Sequence, residues 1–466
     1  MSSSARAKAA QRLTDLLTPL LGTETQPGSP PTVPYEEILT AMQGLAHTLI
    51  PEHPLSTIYH DGEVHDPLGG GSYAFQNDIV EPVLRALLRD EDLCRARNTD
   101  PAPVEAGNPN RLPGRPIVIH AGLQPNNSPH MGTLVVFCYA FAFARAIRDR
   151  MAKAAERGDG LPSVTVLITF VDTAPVKDQG VEVDGVHYQK SHRDISEAFS
   201  KYMPDYKEVL QLLSTWSNIP VMEAVQSDLF SNPAMPLLVD YMVSQRATLG
   251  PQLSPKFGSL ALRSACPVPG CGLAEKHGLF NKYETSDQNQ GGAITFHCPN
   301  HSPHTIRLSQ PEEVARLEAN TPTRNLLRSM THLLDTGAHH IRVTGSDYAG
   351  MYQETLLYRP LAAWSAATGL ASGRTPHILY APLIVDWSGA KLSKSLYVSD
   401  GAYATMKYLG TDGFRSYAQL KDRFGGNGAK GLRKVWEEVE NWVADPRKLF
   451  RPFSLAYLQK ILMEDD

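Results

Sequence analysis

The sequence is poor in cysteine, with five among 466 residues. The number is odd, and three of the five lie in one segment as Cys266, Cys271 and Cys298. This pattern disfavours a disulfide framework and favours metal binding in a reducing compartment. Cys94 and Cys138 stand apart and are expected to be ordinary buried residues.

A basic excess and a membrane-length apolar run are also missing. The net charge is −5 and the pI is near 6.4, which argues against broad nonspecific nucleic-acid binding but not against a local basic groove. The apolar stretch at residues 134–147 is too short to span a bilayer. No secretory signal is recognisable, so we expect a cytoplasmic protein. Residues 1–22 have the pattern of a packing helix, with an Arg-rich transit peptide as the alternative.

A P-loop is missing too, because no Lys-Ser/Thr pair follows the Gly-Gly-Gly-Ser of residues 69–72. A different phosphate-binding pattern occurs at residues 125–133, Pro-Asn-Asn-Ser-Pro-His-Met-Gly-Thr, between a predicted strand at 116–120 and a predicted helix. Such a loop delivers a helix N-terminus to an anion. His130 and Thr133 can donate hydrogen bonds there, and Gly132 lets a ligand approach the backbone. We therefore predict a site for the phosphates and adenine of ATP.

The remaining pattern predicts further strands and helices of an α/β domain. Apolar runs predict strands at residues 163–171, 340–343 and 377–385, and the polar residues 177–193 predict an active-site loop or a hairpin. Helical periodicity extends over residues 195–213, 223–260, 311–337 and 351–368. Two more polar loops follow strands, at residues 345–350 and 391–395, where ligands bind in open α/β sheets.

In this order, the three loops resemble the catalytic core of class I aminoacyl-tRNA synthetases. His130-Met131-Gly132-Thr133 is similar to that family's His-x-Gly-His signature, with Thr133 in place of the second histidine. Residues 391–395, Lys-Leu-Ser-Lys-Ser, resemble the lysine-serine loop, and Gly345-Ser346-Asp347 resembles the loop that holds adenosine. The resemblance covers roughly residues 115–402 and is closest to the class I lysyl type.

The resemblance implies a Rossmann-like (HUP) catalytic domain that uses ATP with Mg²⁺. The catalytic residues would be His130, Thr133, Lys391 and Lys394. ATP would be held by Asn127, Gly132, Gly345, Asp347 and Ser393. Mobile lysines and hydrogen-bond donors suit the charge that builds on phosphoryl oxygens when a carboxylate attacks ATP.

The amino-acid pocket is less well defined by the sequence. Asp172, Tyr348 and Gln353 flank strand ends beside the predicted nucleotide site. Asp172 could hold an α-ammonium group or a cationic side chain, and together with the lysyl-type resemblance this weakly favours lysine or arginine as the substrate. The alternative for Asp172 is a cap on the next element.

A zinc site is predicted between the first and second loops. Cys266-x4-Cys271 and Cys298-x2-His301 provide four ligands for a tetrahedral Zn²⁺, which would be structural because no position stays open for water. His297 and His304 are competing ligands. Unligated thiols are the alternative, because the first pair is spaced more widely than usual.

The domain organisation departs from that of a translational synthetase. We expect an N-terminal helical extension with Pro/Gly-rich linkers (1–114), two halves of the catalytic domain (115–240 and 311–402), a zinc-binding insertion (241–310) and a short helical C-terminal region (403–466). Residues 396–466 leave little room for an anticodon-binding domain, and no basic stripe with interleaved aromatics is present. Anticodon reading is therefore not expected, although the tRNA acceptor end could still bind.

The sequence supports three hypotheses for function. The first is an enzyme of specialised amino-acid or peptide metabolism that activates an amino acid with ATP and forms an amide or ester with a small acceptor or tRNA. The second is a tRNA-dependent cyclodipeptide synthase, of the fungal arginine-containing group, that condenses aminoacyl-tRNA substrates. Known bacterial-type synthases lack the two ATP signatures kept here, which makes this hypothesis less direct. The third is a noncatalytic synthetase-like regulator, against which the retained His130, Gly132, Lys391 and Lys394 count.

Overall fold

The fold is that of a computed structural model, which describes residues 3–21, 34, 37–38, 40–42, 45, 78–98, 111–155, 160–195, 200–285, 292–350, 353–371, 374–392, 410 and 412–464. The glycine-rich residues 69–72 and the predicted site residues Ser393 and Lys394 lie outside the described residues.

The described strands, in chain order, are β1 (Ile117–Leu123), β2 (Val164–Phe170), β3 (Pro175–Val183), β4 (Val186–Ser191), β5 (Val221–Val225), β6 (Leu262–Ser264), β7 (Ala274–Glu275), β8 (Lys282–Glu284), β9 (Ala293–Phe296), β10 (His304–Arg307), β11 (Leu317–Ala319), β12 (His339–Gly345), β13 (His377–Ala381), β14 (Ile384–Val385) and β15 (Phe453–Ser454).

The described α-helices are α1 (Ser3–Leu21), α2 (Val80–Asn98), α3 (Met131–Ala154), α4 (Met203–Ser217), α5 (Met235–Ser244), α6 (Arg246–Leu253), α7 (Pro311–Val314), α8 (Thr321–Leu334), α9 (Arg359–Thr368), α10 (Tyr417–Arg423), α11 (Gly428–Ala444) and α12 (Leu455–Met463).

A five-stranded parallel sheet carries the fold, in the order β13-β12-β1-β2-β5. The chain moves outward from β1 through β2 to β5 and returns to place β12 on the other side of β1. This is the strand order of a doubly wound, Rossmann-like α/β domain. The α/β class predicted from the sequence is confirmed.

Helices cover both faces of the sheet. On one face lies α3, which packs against β1, β2, α4 and α11. Its length and composition alone would suit a membrane span. However, 67% of its most apolar 18-residue stretch is buried inside the protein, as in a core helix. On the other face lie α8 and α9, whose buried side chains form a second apolar cluster with α5 and β13. The sheet thus lies between two apolar layers of helices, which do not cover the ends of its strands.

The sequence patterns located most elements. The predicted strand 377–385 is divided into β13 and β14, which belong to different sheets, and the patterns failed at two further places. Residues 223–225, predicted as helix, belong to the edge strand β5, whose Met222 and Glu223 are exposed and therefore give no alternating apolar signal. The predicted helix 311–337 is divided into α7 and α8 by β11, which pairs with β6. Tertiary pairing overrode local periodicity at both places.

Small antiparallel sheets lie between β2 and β12 in the chain. Residues 177–193, predicted as a loop or a hairpin, form most of the β3–β4 hairpin, and β4 also pairs with β7. The fully buried Glu318 ties this region to the rest of the chain. It accepts hydrogen bonds from Ser191 Oγ (2.9 and 3.0 Å) and lies 2.9 Å from Arg193 and 3.0 Å from Arg263. Burial of this carboxylate is tolerated because both guanidinium groups compensate it.

Two buried carboxylates anchor α2 to the N-terminal edge of the sheet. Asp90 pairs with His377 at 2.8 Å, at the start of β13. Glu91 pairs with His339 at 2.9 Å and also accepts from the backbone N–H of Gly114 at 2.7 Å. Burial opposes ionisation of Glu91, but the bonds from His339 and from the backbone lower its pKa to about 2.

We predict that the contacts of Glu91 with His339 and Gly114 make the stability of the protein depend on pH. The folded-state pKa of Glu91 lies below its ordinary value of 4.5, so its contribution is present above pH 4.5 and is lost as the pH falls toward 2. Glu91→Gln should lower the free energy of unfolding at pH 7 by about 2 kcal/mol. Urea unfolding between pH 7 and pH 3.5 should show the difference from wild type shrinking below pH 4.5.

Glu312→Gln removes an exposed carboxylate and is the matched control, with no expected change in the profile. A wild-type difference for Glu91→Gln that stayed constant over this pH range would contradict the assignment.

Candidate active site and metal centre

A cavity of about 500 Å³ lies at the carboxyl ends of β1 and β12. The strand order reverses between these two strands, because β1 continues to β2 on one side while β12 returns on the other. Such switch points are where open α/β sheets bind ligands. Six of the residues predicted for catalysis or ATP binding line this cavity: His130, Gly132, Thr133, Gly345, Asp347 and Lys391. The predicted pocket residue Tyr348 lines it as well.

His130 is the N-cap of α3. Its Nδ1 accepts a hydrogen bond from Thr133 N at 3.3 Å, so the proton of the neutral ring lies on Nε2. Gly132 permits this geometry, because a Cβ at that position would lie 3.0 Å from Cε1 and 3.2 Å from Nδ1 of His130. The local sequence thus combines a helix N-terminus with an N–H donor.

The loop before His130 is held from several sides. Tyr206 donates to the carbonyl of Asn127 at 2.9 Å, and Tyr417 N donates to the carbonyl of Pro129 at 2.7 Å. The side chain of Asn126 contacts His192 Nε2 at 2.7 Å. Asn126 lines the cavity, whereas Asn127, the residue predicted from the sequence, is not among the lining residues. The C-terminal region therefore supports the site directly.

Lys391 connects the second and third loops. Its Nζ lies 2.5 Å from Asp347 Oδ2 and 5.9 Å from the centre of the Tyr348 ring. Gly345 is required beside this pair, because a Cβ there would lie 2.5 Å from Asp347 Oδ1. The side chains of Lys391 and Asp347 are 37% and 28% exposed, so water weakens the pair. Lys391 can therefore exchange this carboxylate for a phosphate at little cost.

A tight turn sets the position of Lys391. Asp386 Oδ1 accepts from Ser388 N at 2.8 Å and from Ala390 N at 3.0 Å, and Gly389 has a φ of +82°. Leu392 N then donates to the carbonyl of Ile384 at 2.8 Å. The first lysine of the predicted lysine-serine loop thus stands on an ordered support.

Two predicted pocket residues lie away from the cavity lining. Both carboxylate oxygens of Asp172 are engaged by Ser227, from its N–H at 2.9 Å and its Oγ at 2.6 Å. The alternative considered from the sequence was a cap on the next element, whereas Ser227 lies 55 residues later in the chain, beyond β5. Gln353 is 2% exposed and is likewise absent from the lining.

Sequence reasoning did not single out Asn126 and His192. Asn126 lies inside the predicted phosphate loop and could have been found from that position. His192 is distant in sequence and gave no signal, because only the return of the β3–β4 hairpin brings it to the loop.

The predicted zinc ligands come together. Cys266 Sγ lies 3.5 Å from His301 Nδ1, Cys298 Sγ lies 3.6 Å from the same atom, and the Sγ atoms of Cys271 and Cys298 are 3.7 Å apart. Tetrahedral Zn²⁺ with ordinary bond lengths requires ligand separations of about 3.5–3.8 Å. The four residues therefore fit such an ion, and the three cysteines are buried.

The competing ligands are used elsewhere. His297 Nδ1 contacts Tyr188 Oη at 2.8 Å, and His304 Nε2 contacts Ser264 Oγ at 3.1 Å. Burial, together with the neighbouring Cys298 and Cys271, raises the pKa of Cys266 to about 11. Zn²⁺ would have to displace these thiol protons, so affinity should fall at acid pH.

We predict that the purified protein holds one zinc ion and that His301→Ala loses most of it. His304→Ala is the matched control and should retain zinc, because this ring faces Ser264. Inductively coupled plasma mass spectrometry would measure the zinc content of each variant. Thermal unfolding would be recorded with and without a chelator. Because structural zinc contributes folding energy, the chelator should lower the Tm of wild type and His304→Ala. Equal zinc content in both variants would rule out the assigned ligand set.

The chain shows a distant similarity to solved structures of arginyl-tRNA synthetases. That of Thermus thermophilus is 13% identical, with a TM-score of 0.31, over 99% of this chain and 78% of that one. A Campylobacter jejuni protein described as a putative arginyl-tRNA synthetase is 9% identical, with a TM-score of 0.27, over 81% of this chain and 89% of that one. No family model and no curated protein matches. At these values neither similarity carries an argument about function, which rests on the residues of this chain.

Proposed function

We propose that the protein activates an amino acid with ATP and transfers the aminoacyl group to a small acceptor or to tRNA. The observation that carries this proposal is the convergence of three loops on one cavity at the switch point of the sheet. His130 and Thr133, Asp347, and Lys391 come from distant parts of the chain and line the same space. This set is suited to phosphoryl chemistry, which depends on positioning and on charge stabilisation.

In the proposed reaction, a carboxylate oxygen of the amino acid attacks the α-phosphorus of ATP. The bond from that phosphorus to the bridging oxygen breaks, pyrophosphate leaves, and an aminoacyl adenylate forms. Negative charge grows on the phosphoryl oxygens as this occurs. The N-terminus of α3 and the Nε2 proton of His130 would stabilise that charge, and Lys391 would do so after leaving Asp347.

Mg²⁺, when bound with ATP, neutralises phosphate charge. Asp347 is the carboxylate among the described lining residues, and it is paired with Lys391. Mg²⁺ would therefore be held mainly by phosphate oxygens and water, as is usual for this ion. The second lysine of the signature, Lys394, is proposed to act with Lys391. The Zn²⁺ would serve structure only, because all four of its ligand positions are filled by side chains.

We predict that the protein catalyses ATP–pyrophosphate exchange that depends on one amino acid or a few of the twenty. His130→Ala should reduce the rate about 100-fold, as for the loss of one donor to a transition-state oxyanion. Lys391→Gln should also reduce it, and Lys394→Gln tests the second lysine. Lys282→Gln removes an exposed lysine of the insertion and is the matched control, with an unchanged rate expected.

Two outcomes would contradict adenylation at this site. If no amino acid supports exchange but a cyclic dipeptide forms once charged tRNA is supplied, the cyclodipeptide hypothesis replaces it. If exchange occurs but is insensitive to His130→Ala and to both lysine variants, the cavity at the ends of β1 and β12 is not the active site.

A further inference from the structure

A column of basic side chains lies between α8 and the sheet, below the candidate active site. Arg324, Arg328 and His332 are spaced by four residues along α8 and so share one face of the helix. On β12, His340 and Arg342 are spaced by two and share one face of the strand with Thr344. We call Arg324, Arg328 and Arg342 the arginine ladder.

The contacts of the histidines fix the relative positions of helix and strand. The rings of His332 and His340 stack with centroids 4.3 Å apart, at the C-terminal end of α8 and the start of β12. The chain turns back between them, so α8 and β12 run in opposite directions. Four helical residues rise about 6 Å and two strand residues about 6.6 Å. Arg328 therefore stands near the level of Arg342, and Arg324 near that of Thr344, which lines the cavity.

Neutral groups, not acids, contact the two helix arginines. Arg328 donates to the amide oxygens of Asn325, at 3.4 Å, and Gln226. Arg324 donates to the carbonyl of Ala319 at 3.5 Å and to Thr321 Oγ1 at 3.2 Å, and its buried Nε has no partner. Among the described residues, neither guanidinium forms a salt bridge.

The electrostatic consequences are visible in the pKa values. Burial lowers the pKa of Arg328 well below its ordinary value, and Arg342 and Arg324 lower it further. Burial, with Arg263 and Arg342, lowers the pKa of Arg324 to about 10, against the opposing effect of Tyr348 and Asp172. Asp172 is thus the nearby acid, and Ser227 already engages both of its oxygens. Among the described residues, Arg324 and Arg328 therefore carry positive charge that no salt bridge compensates.

This charge excludes a second metal site. His120, His332 and His340 bring their ring nitrogens within 4.8 Å of one another, as metal ligands would. However, His120 Nε2 already contacts His340 Nδ1 at 2.9 Å, and Arg328 and Arg342 act on the histidines with positive charge. A cation is unfavourable in such surroundings, and an anion is favourable.

We propose that Arg324 and Arg328 bind a carboxylate on the side chain of the substrate amino acid, which makes the substrate acidic. This inference rests on the proposed function, because it assigns the substrate of the same site. Planar guanidinium groups bind carboxylates in a paired, bidentate manner. Neither arginine lines the cavity, but Tyr348 does and acts on the charge of Arg324, so binding requires the substrate side chain to extend past Tyr348 toward α8.

The sequence weakly favoured lysine or arginine, on the basis of the lysyl-type resemblance and one acidic residue. The second ground required Asp172 to face the substrate, whereas Ser227 engages both oxygens of this carboxylate. Buried guanidinium groups without salt bridges are costly unless a ligand supplies the opposite charge. An acidic substrate supplies it.

Binding measured without chemistry tests the inference directly. Isothermal titration calorimetry would compare L-aspartate and L-glutamate with L-glutamine, L-lysine, L-arginine and inorganic phosphate. One of the acidic amino acids should bind at least about tenfold more tightly than L-glutamine, since the amide leaves the charge uncompensated. Arg328→Gln should weaken that binding about tenfold, and Arg328→Lys should restore part of it.

The control variant is Arg316→Gln, which removes an arginine outside the ladder and should leave binding unchanged. Thermal unfolding separates binding from folding: the acidic amino acid should raise the Tm of wild type but not that of Arg328→Gln. If Arg328 had only a structural role, Arg328→Gln would lower the Tm of the free protein, and the acidic amino acid would still raise the Tm of this variant. Tighter binding of lysine or arginine, or of phosphate alone, would overturn the inference.

The exchange assay distinguishes this failure from failure of the proposed function. If acidic amino acids bind through Arg328 but no amino acid supports exchange, adenylation is wrong and the ladder is still a carboxylate site. If only neutral or cationic amino acids support exchange, adenylation is right and the ladder has another role.

Discussion

The pairing of β1 with β12 is the contact on which the rest of the molecule depends. Ile117 and His339 are partners in this pairing although they lie far apart in the chain. Because the strands are parallel and the order reverses between them, their carboxyl ends open into a crevice. Three segments line that crevice: the loop with His130 after β1, the turn with Asp347 after β12, and Lys391 after β14. Without this one register, the three loops would have no common target.

Buried charged groups have different kinds of partner in different parts of the molecule. At the N-terminal end, Asp90 and Glu91 are buried against histidines and backbone donors, and Glu318 of β11 lies between Arg193 and Arg263. These acids are compensated and hold elements together. On the α8 face, Arg324 and Arg328 have neutral partners only. These two guanidinium groups are the ones to which we propose that the carboxylate of the substrate binds.

Two clusters of potential metal ligands in the chain differ in whether they suit a metal ion. The three buried cysteines and His301 have separations that fit a tetrahedral ion, and their thiols can become anionic. His120, His332 and His340 are just as close but are stacked, bonded to one another and flanked by arginines. Proximity alone therefore does not make a metal centre, because the surrounding charge decides whether a cation is stable there.

The amino-acid pattern was enough to predict the α/β class, the loop–helix unit around His130 and the cluster of four candidate zinc ligands, because local periodicity and short spacing carry those signals. It failed for β5 and β11, whose pairing partners lie far away in the chain. It also could not decide between the two roles of Asp172, since Ser227 reaches that carboxylate only in the folded chain. The four-residue spacing of Arg324 and Arg328 was present in the sequence, but ordinary exposed helices carry the same spacing. Only the folded chain brings Gln226 to Arg328, and only the packing of α8 on the sheet places both arginines among neutral groups.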